Sequence, residues 1–285
     1  MNSLSVGIIG VGVVGMTLSN ACVRQHIKVY GYDTNESVSF EKNEFLHRES
    51  SIKDVLIHIN TIICICVPTP ASIDGHDITA IESVCNVLHE LKCEYPVLII
   101  STVCPGTLNH LSFNYPELYL FHCPEFLSNA TRNIDMYHSK QVILGVPPKM
   151  PCAMTDHAHS FLHQLHPSAS IKIVKAIESE IAKLFCNVFY AIKLRTFNGI
   201  YSVCHENAQY DVVRQLMIDQ GWIYPLHTFA PNIDGTLSVG GHCLPKDCKA
   251  AFYWLQKTLA QKENKTDDLY FAMDDLKSML SNFIL

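Results

Sequence analysis

The sequence lacks an excess of basic residues. Its 21 Lys and Arg residues are outnumbered by 27 Asp and Glu residues, which gives a net charge of -6 at pH 7. A protein that binds nucleic acid through its phosphates needs a basic patch or stripe. The composition does not indicate such a surface, and we expect no nucleic-acid partner.

The chain also lacks a long apolar run and a targeting segment at its beginning. The first ten residues, MNSLSVGIIG, are too short to span a membrane and contain no basic residue. They run directly into a glycine motif. We therefore expect a soluble, cytoplasmic protein with no membrane partner.

Metal ligands are a third absence. Cys64 and Cys66 lie in the stretch TIICICV, which is typical of a buried strand, and no second ligand pair for zinc accompanies them. We predict no metal site. Without an export signal, the 12 cysteines are expected to stay reduced, most of them as small core residues.

What the first half does contain is an alternation of short apolar strands and helical segments. The candidate strands are residues 5–10, 27–33, 61–67, 96–102, 118–123 and 140–146, and the candidate helices between them include 13–25 and 78–91. This alternation is typical of helices wrapped around a parallel sheet. It predicts an α/β fold with a Rossmann-type doubly wound sheet.

The pattern changes at Glu178, where a proline-free run with apolar residues at helical spacing continues to about Glu206. Its predicted packed positions are Ile181, Leu184, Phe185, Val188, Phe189 and Ile192. The remainder is mostly helical, so we predict a sheet domain at 1–176 and a helical domain at 177–285. The long helix suggests a homodimer interface, although a helix buried within one chain would show the same pattern.

A glycine motif, GVGVVG, follows the first candidate strand and opens the first candidate helix. The predicted cofactor loop consists of Gly10, Val11, Gly12, Val13, Val14 and Gly15. Such a loop lets the backbone approach a pyrophosphate, and the helix N-terminus supplies amide donors. Asp33 ends the second strand, where a carboxylate binds the ribose hydroxyls, so the motif predicts NAD rather than NADP.

Five further segments occur in a specific order: CVPTPASIDGHDIT, STVCPGT, CPEFLSNATRNID, ESEIAKLFCNVFYAIK and GGHCLPKD. In content and order they resemble the nucleotide-sugar 6-dehydrogenases, the family of UDP-glucose and GDP-mannose dehydrogenases. The resemblance spans about residues 5 to 250. Five motifs in the right order are far more specific than any one alone.

The resemblance implies a reaction and a set of catalytic residues. Family members oxidise the C6 alcohol of a sugar to a carboxylate in two NAD-dependent steps without releasing the aldehyde, so Cys243 is expected to be the nucleophile that holds it. Asp247 and Thr102 resemble the pair that holds a water and assists proton transfer. Glu125 resembles the base that activates water on the thioester.

The same resemblance supplies the remaining roles. Lys183 and Asn187, one helical turn apart, would stabilise the developing alkoxide or oxyanion. Thr69, Thr102, Glu125 and Lys246 match positions that contact NAD in the family. The implied partner is a nucleotide sugar.

Four departures from the family pattern stand out. Asn129 and Ala130 replace a glutamate and a glycine, and Ser238 and Val239 replace a glycine and an aromatic residue before the cysteine. The stretch DQGWIYPLHTFAPNIDG lacks the arginine that many members supply to the substrate. The chain ends soon after Asp247, so the resemblance implies a short form without the family's C-terminal domain.

Two other functions stay open from sequence. A two-domain 3-hydroxyacid dehydrogenase would use Lys183 and Asn187 for a single hydride transfer without a covalent intermediate. A non-catalytic NAD-binding remnant would act by association alone. The segments that contain Glu125 and Cys243 favour the nucleotide-sugar oxidation over both.

Overall fold

The computed structural model describes residues 4–38, 43–127, 131–232, 235–241, 243–263, 265 and 268–283. The strands are β1 (Ser5–Ile9), β2 (Lys28–Tyr32), β3 (Leu46–Arg48), β4 (Ile62–Ile65), β5 (Ala71–Ser72), β6 (Gly75–His76), β7 (Pro96–Ile99), β8 (Tyr119–His122), β9 (Gln141–Val146) and β10 (Ser170–Lys175). The helices are α1 (Val13–Arg24), α2 (Ile52–His58), α3 (Thr79–Glu90), α4 (Thr107–Asn114), α5 (Arg132–Tyr137), α6 (Cys152–Leu165), α7 (Ala176–Cys204), α8 (Tyr210–Asp219), α9 (Cys243–Ala260) and α10 (Asp268–Leu280). A 3₁₀ turn, Ser281–Phe283, follows α10.

Eight of the strands form one sheet in the order β10-β9-β8-β7-β4-β1-β2-β3. Neighbouring strands are parallel except β8 and β9, which are antiparallel and meet where His122 lies opposite Gly145. The predicted Rossmann-type α/β fold is confirmed. Sequence reasoning missed the short strand β3 and the antiparallel pairing of β8 with β9.

Helices cover both faces of this sheet. In β4, Ile62 and Cys64 pack on the side of α1 and α6, while Ile63 and Ile65 pack on the side of α2, α3 and α4. All four side chains are at most 1% exposed. A strand covered on both faces is apolar at every position, which is why TIICICV reads as an unbroken apolar run.

Most of the cysteines belong to the core, as predicted. The buried ones are Cys22, Cys64, Cys85, Cys93, Cys104, Cys123, Cys204 and Cys248. Burial raises the pKa of Cys22, Cys85, Cys123 and Cys248 to about 12, because a thiolate loses its hydration in an apolar surrounding. These thiols are packing groups rather than nucleophiles.

The chain divides into two compact units. The first comprises residues 1–70 and 77–183, and the second comprises residues 71–76 and 184–285. The division falls inside α7, and the predicted boundary after residue 176 stays a prediction. The short hairpin formed by β5 and β6 belongs to the second unit, although its sequence lies between β4 and α3.

Helix α7 contains the predicted long helix and buries only part of its apolar surface. Leu184 and Val188 are 0% and 2% exposed, whereas Ile181 and Phe189 are 43% and 61% exposed. Ile181 and Phe189, predicted as packed positions, are therefore not covered within this chain, and their packing in a homodimer stays a prediction. A helix packed along one stripe leaves apolar side chains outside that stripe in contact with solvent.

Among the helices of the described ranges, none is both long and apolar enough to cross a membrane.

Candidate functional site

The glycine loop joins β1 to α1 in the first unit. A Cβ at Gly15 would lie 2.0 Å from the Gly10 carbonyl oxygen, and Gly10 has a positive φ of 88°. Gly12 differs, because a Cβ there would meet nothing within 4 Å. Gly10 and Gly15 are therefore required by backbone contacts within the protein, whereas Gly12 leaves open space at the mouth of the helix.

Asp33 is fixed beside this loop at the end of β2. Its Oδ2 accepts a hydrogen bond from the Val11 amide at 2.7 Å, and its Oδ1 accepts one from the Asn35 amide at 2.8 Å. Gly12 at the N-cap of α1 offers no side-chain acceptor to the first-turn amides, which include those of Val13 and Val14. The loop therefore fits a dinucleotide, with amide donors for the pyrophosphate and a carboxylate for the ribose.

Three other predicted residues follow the carboxyl ends of strands in the same sheet. Thr69 follows β4, Thr102 follows β7 and Glu125 follows β8. The Thr69 hydroxyl donates to the Thr102 carbonyl oxygen at 2.7 Å, which ties the two loops together. Ligands of open α/β sheets bind outside the carboxyl ends of the strands, and the glycine loop lies at that edge as well.

Glu125 and Lys183 form a sheltered ion pair in the first unit. Glu125 Oε1 lies 3.5 Å from Lys183 Nζ, and the two side chains are 16% and 4% exposed. Glu125 Oε2 accepts a hydrogen bond from the Leu127 amide at 2.6 Å, and the Lys183 ammonium lies over the Phe126 ring. The structure thus holds an oriented carboxylate next to a buried cation. Charged groups that stabilise a reacting charge need such a fixed placement.

A second set of predicted residues surrounds Asp247 in the second unit. Asp247 Oδ2 accepts a hydrogen bond from Asn187 Nδ2 at 2.6 Å, and Oδ1 lies 2.9 Å from His76 Nε2 and also accepts from Lys246 Nζ. Burial alone would raise the pKa of Asp247, but the hydrogen bond from His76 and the positive charge of Lys246 outweigh it and hold the pKa below its usual range. Asp247 is therefore a carboxylate at neutral pH. The predicted contact of Lys246 with NAD stays a prediction.

Cys243 is the first residue of α9, one helical turn before Asp247. It is exposed, whereas Cys248 on the same helix is 0% exposed and has a pKa raised to about 12 by burial. The amides at the beginning of a helix favour a thiolate over a thiol. Of these two cysteines, only Cys243 is placed to act as a nucleophile.

A cleft of about 450 Å³ lies in the second unit, lined by the α7 residues Arg195 and Asn198 and by Ser238, Val239 and Pro245. Asn198 Nδ2 donates to the Leu237 carbonyl oxygen, while its Oδ1 is buried without a hydrogen-bond partner among the described residues. A buried acceptor without a partner is costly unless a ligand or water satisfies it. The two unusual residues before the cysteine, Ser238 and Val239, therefore line a cleft that can take a polar ligand.

Sequence reasoning missed His76 and Glu180. His76 belongs to the short hairpin and contacts Asp247. In the first unit, Glu180 accepts hydrogen bonds from the Gly106 and Leu108 amides, both at 2.7 Å, at the beginning of α4. Neither had a usable signal, because a lone histidine after a glycine and an acid within a helix are most often surface residues. Asn129 and Ala130 lie outside the described residues.

Comparison with known proteins identifies the family. The model described as the UDP-glucose/GDP-mannose dehydrogenase family, NAD binding domain, matches residues 4–160, and the central-domain model of the same family matches residues 177–265. The chain belongs to this family. The resemblance and the expected NAD cofactor are confirmed.

Curated relatives in the family differ in substrate. The chain is 24% identical over 276 residues to the UDP-N-acetyl-D-mannosamine dehydrogenase of Pyrococcus horikoshii, an alignment covering 86% of this chain and 63% of that relative. It is 25% identical over 236 residues to the UDP-glucose 6-dehydrogenase of Campylobacter jejuni, covering 79% and 56% respectively. The chain thus spans about three fifths of the length of these relatives.

A solved family structure shares the fold. The UDP-glucose dehydrogenase of Pyrobaculum islandicum superposes with a TM-score of 0.78 at 20% identity, covering 99% of this chain and 68% of that one. The sheet and the helical unit described above are therefore the family architecture.

Proposed function

We propose that this dehydrogenase oxidises the C6 primary alcohol of a nucleotide sugar to a carboxylate, with UDP-glucose as the first substrate to test. The observation that carries the proposal is the arrangement on α9, where the accessible Cys243 precedes the ionised Asp247 by one turn. Membership of the family supports the same reaction.

The first oxidation converts the alcohol to an aldehyde. The glycine loop with Asp33 would hold NAD, which would supply the hydride acceptor for both oxidations at C6. Lys183 and Asn187 donate hydrogen bonds to the alkoxide that develops as the hydroxyl proton leaves. By the family resemblance, Asp247 and Thr102 would hold the water that takes this proton.

The second oxidation proceeds on the enzyme. The Cys243 thiolate adds to the aldehyde carbon to give a thiohemiacetal, and loss of a second hydride from C6 gives a thioester. Glu125 takes a proton from the water that attacks the thioester, and cleavage of the C–S bond regenerates the thiolate. One alcohol, two NAD and one water yield one carboxylate, two NADH and three protons.

The cleft beside Ser238 and Val239 is our candidate for the sugar-nucleotide site. Arg195 offers a positive charge for the diphosphate, in a chain that lacks the family's usual arginine in the 219–235 stretch. The unpartnered Asn198 Oδ1 can accept a hydrogen bond from a sugar or ribose hydroxyl. We also propose a homodimer in which a second copy covers the exposed apolar residues of α7.

Substrate choice is tested by measuring NADH formation with UDP-glucose, UDP-N-acetylmannosamine and GDP-mannose in turn. We expect turnover with one of them and a loss of more than about a hundredfold in Cys243→Ser. Cys152→Ser, which changes another exposed cysteine at the beginning of α6, serves as the matched control and should retain activity.

Two results would redirect the proposal. Full activity in Cys243→Ser would favour the single hydride transfer of a 3-hydroxyacid-type dehydrogenase. Binding of NAD without NADH formation from any nucleotide sugar would favour a non-catalytic NAD-binding protein.

A further inference from the structure

The short hairpin of residues 71–76 is anchored on helix α9 within the second unit. Asp74 Oδ1 lies 2.9 Å from Lys257 Nζ in an exposed ion pair. His76 Nε2 lies 2.9 Å from Asp247 Oδ1 in a buried hydrogen bond, and the two side chains are 0% and 1% exposed. The hairpin therefore places the buried imidazole of His76 beside the Asp247 carboxylate, one turn after Cys243 on α9.

The proton between His76 and Asp247 can be placed by chemistry. His76 Nε2 lies 2.9 Å from Asp247 Oδ1 and 3.1 Å from Lys246 Nζ. Lys246 Nζ already donates to Asp247 Oδ1, and an ionised carboxylate oxygen only accepts hydrogen bonds, so we place the proton on His76 Nε2, facing the carboxylate. Burial first of all, with the nearby Lys246 charge, lowers the pKa of His76, although Asp247 acts in the opposite direction. His76 is thus neutral at pH 7, with its Nε2–H donated to Asp247 Oδ1.

The hydrogen bonds of the Asp247 carboxylate distinguish its two oxygens. Oδ1 accepts from His76 and from Lys246, which uses both of its lone pairs. Oδ2 accepts from Asn187 alone among the described residues, which leaves one lone pair for a water or a substrate hydroxyl. Rotation of the carboxylate would exchange these environments. The Lys246 side chain is 27% exposed, whereas the His76 side chain is 0% exposed, so we expect the buried imidazole to restrain that rotation more strongly.

We propose that His76 is a positioning residue, which fixes the Asp247 carboxylate so that Oδ2 is presented to the reacting water or hydroxyl. The proposal deepens the proposed oxidation of nucleotide sugars and rests on it. His76 itself touches neither substrate nor cofactor in this role. It acts only by fixing the orientation in which the Asp247 carboxylate accepts hydrogen bonds.

Two amide variants test the hydrogen bond directly. In His76→Gln, the side-chain amide can place an N–H close to the position of Nε2, whereas in His76→Asn the shorter side chain cannot reach Asp247. We expect His76→Asn to lower kcat by about tenfold to a hundredfold, because a bond to a buried charge is lost. His76→Gln should stay within about threefold of the wild type. The KM for NAD should not change in either variant, which separates positioning from general disruption.

Asp74→Asn is the matched control on the same hairpin. It removes the exposed ion pair with Lys257 but leaves His76 in place, so its kcat should equal that of the wild type. Thermal unfolding of all variants checks that each is folded. Equal activity of the His76→Asn variant and the wild type would overturn the proposal, and so would equal loss in the Gln and Asn variants.

A second readout does not depend on turnover. The ¹³Cγ resonances of labelled Asp residues are followed against pH, with Asp247→Asn to assign the signal of Asp247. The titratable groups that face Asp247 are His76 from β6 and Lys246 and Cys248 from α9, with the neutral Asn187 from α7. We expect Asp247 to titrate at a higher pH in His76→Asn than in the wild type and His76→Gln.

The two readouts separate the failure of this proposal from the failure of the proposed function. If the wild type oxidises no nucleotide sugar but the Asp247 titration shifts only in His76→Asn, the function fails and the positioning of Asp247 stands. If Asp247 titrates identically in all three proteins, the positioning proposal fails whatever the activity.

Discussion

Cys243 and Cys248 lie five residues apart on α9, yet their surroundings give them opposite properties. Cys243 is exposed at the first turn, whereas Cys248 is buried with a pKa of about 12. The segment HCLPKDC alone does not show this difference, because exposure depends on the face of the helix that each cysteine occupies in the folded protein. The helix places Cys243 on a side that faces solvent and Cys248 on the side that faces the core.

This difference predicts selective alkylation. With iodoacetamide at pH 7.5, Cys243 should be modified in the folded protein while Cys248 is protected, since the thiolate is the reacting form. Peptide mapping by mass spectrometry measures both, with the exposed Cys152 as the internal reference and a denatured sample as the control. Modification of Cys248 at the rate of Cys243 would contradict the burial described here.

Glu180 predicts a pH dependence of stability. Burial raises its pKa from 4.5 to about 7, although the Leu108 and Gly106 amides act in the opposite direction. Between these pH values the folded state binds more protons than the unfolded state, so the free energy of unfolding should fall as pH rises from 4.5 to 7. The full effect is about 3 kcal/mol.

Glu180→Gln isolates this contribution, because its side chain does not titrate. Urea unfolding of both proteins across this pH range should show the wild type losing stability relative to the variant as pH rises. The buried His122, whose pKa is lowered to about 3 by burial and by Lys183, contributes the opposite slope in both proteins and cancels in the difference. A difference that is independent of pH would contradict the account of Glu180.

At the scale of elements, the sequence predicted long periodic segments well. The candidate helix 13–25 corresponds to α1, Val13–Arg24, and the candidate helix 78–91 corresponds to α3, Thr79–Glu90. Their apolar periodicity reports directly which face is buried. The three-residue strand β3 and the two-residue strands of the hairpin were missed, because so few residues show no periodicity.

The site was predictable in its residue types but not in its partnerships. The glycine spacing predicted the cofactor loop, and the family resemblance supplied Thr69, Thr102 and Glu125, which follow strands of the same sheet. His76 and Asp247, in contrast, are separated by 171 residues, and only the folded hairpin brings them together. Side-chain pairs of this kind depend on tertiary packing, which the local pattern does not encode.

Alanine substitutions at two glycines of the loop between β1 and α1 should have different effects. Gly12→Ala should fold with a free energy of unfolding within about 0.5 kcal/mol of the wild type, because its Cβ meets nothing, but should bind NAD more weakly. Gly15→Ala should be strongly destabilised, since its Cβ would overlap the Gly10 carbonyl oxygen. Calorimetric NAD titration and thermal unfolding measure the two effects. Normal NAD affinity in Gly12→Ala would contradict the loop's role.

At the scale of the whole molecule, the exposed apolar residues of α7 predict self-association. Phe189→Lys should convert a dimer to a monomer in size-exclusion chromatography with light scattering, because it places a charge in the proposed interface. Phe113→Lys, at another exposed phenylalanine in α4, is the matched control and should leave the mass unchanged. A monomeric wild type, or a dimeric Phe189→Lys variant, would contradict the proposed dimer.

The proposed reaction oxidises one sugar twice through a thioester on Cys243. The most direct test counts NADH formed per nucleotide sugar consumed under single-turnover conditions, with intact-protein mass spectrometry of the wild type and Cys243→Ser. We expect two NADH per sugar in the wild type, with a transient covalent adduct on Cys243 that the variant never forms. One NADH per sugar without an adduct would rule out the thioester route.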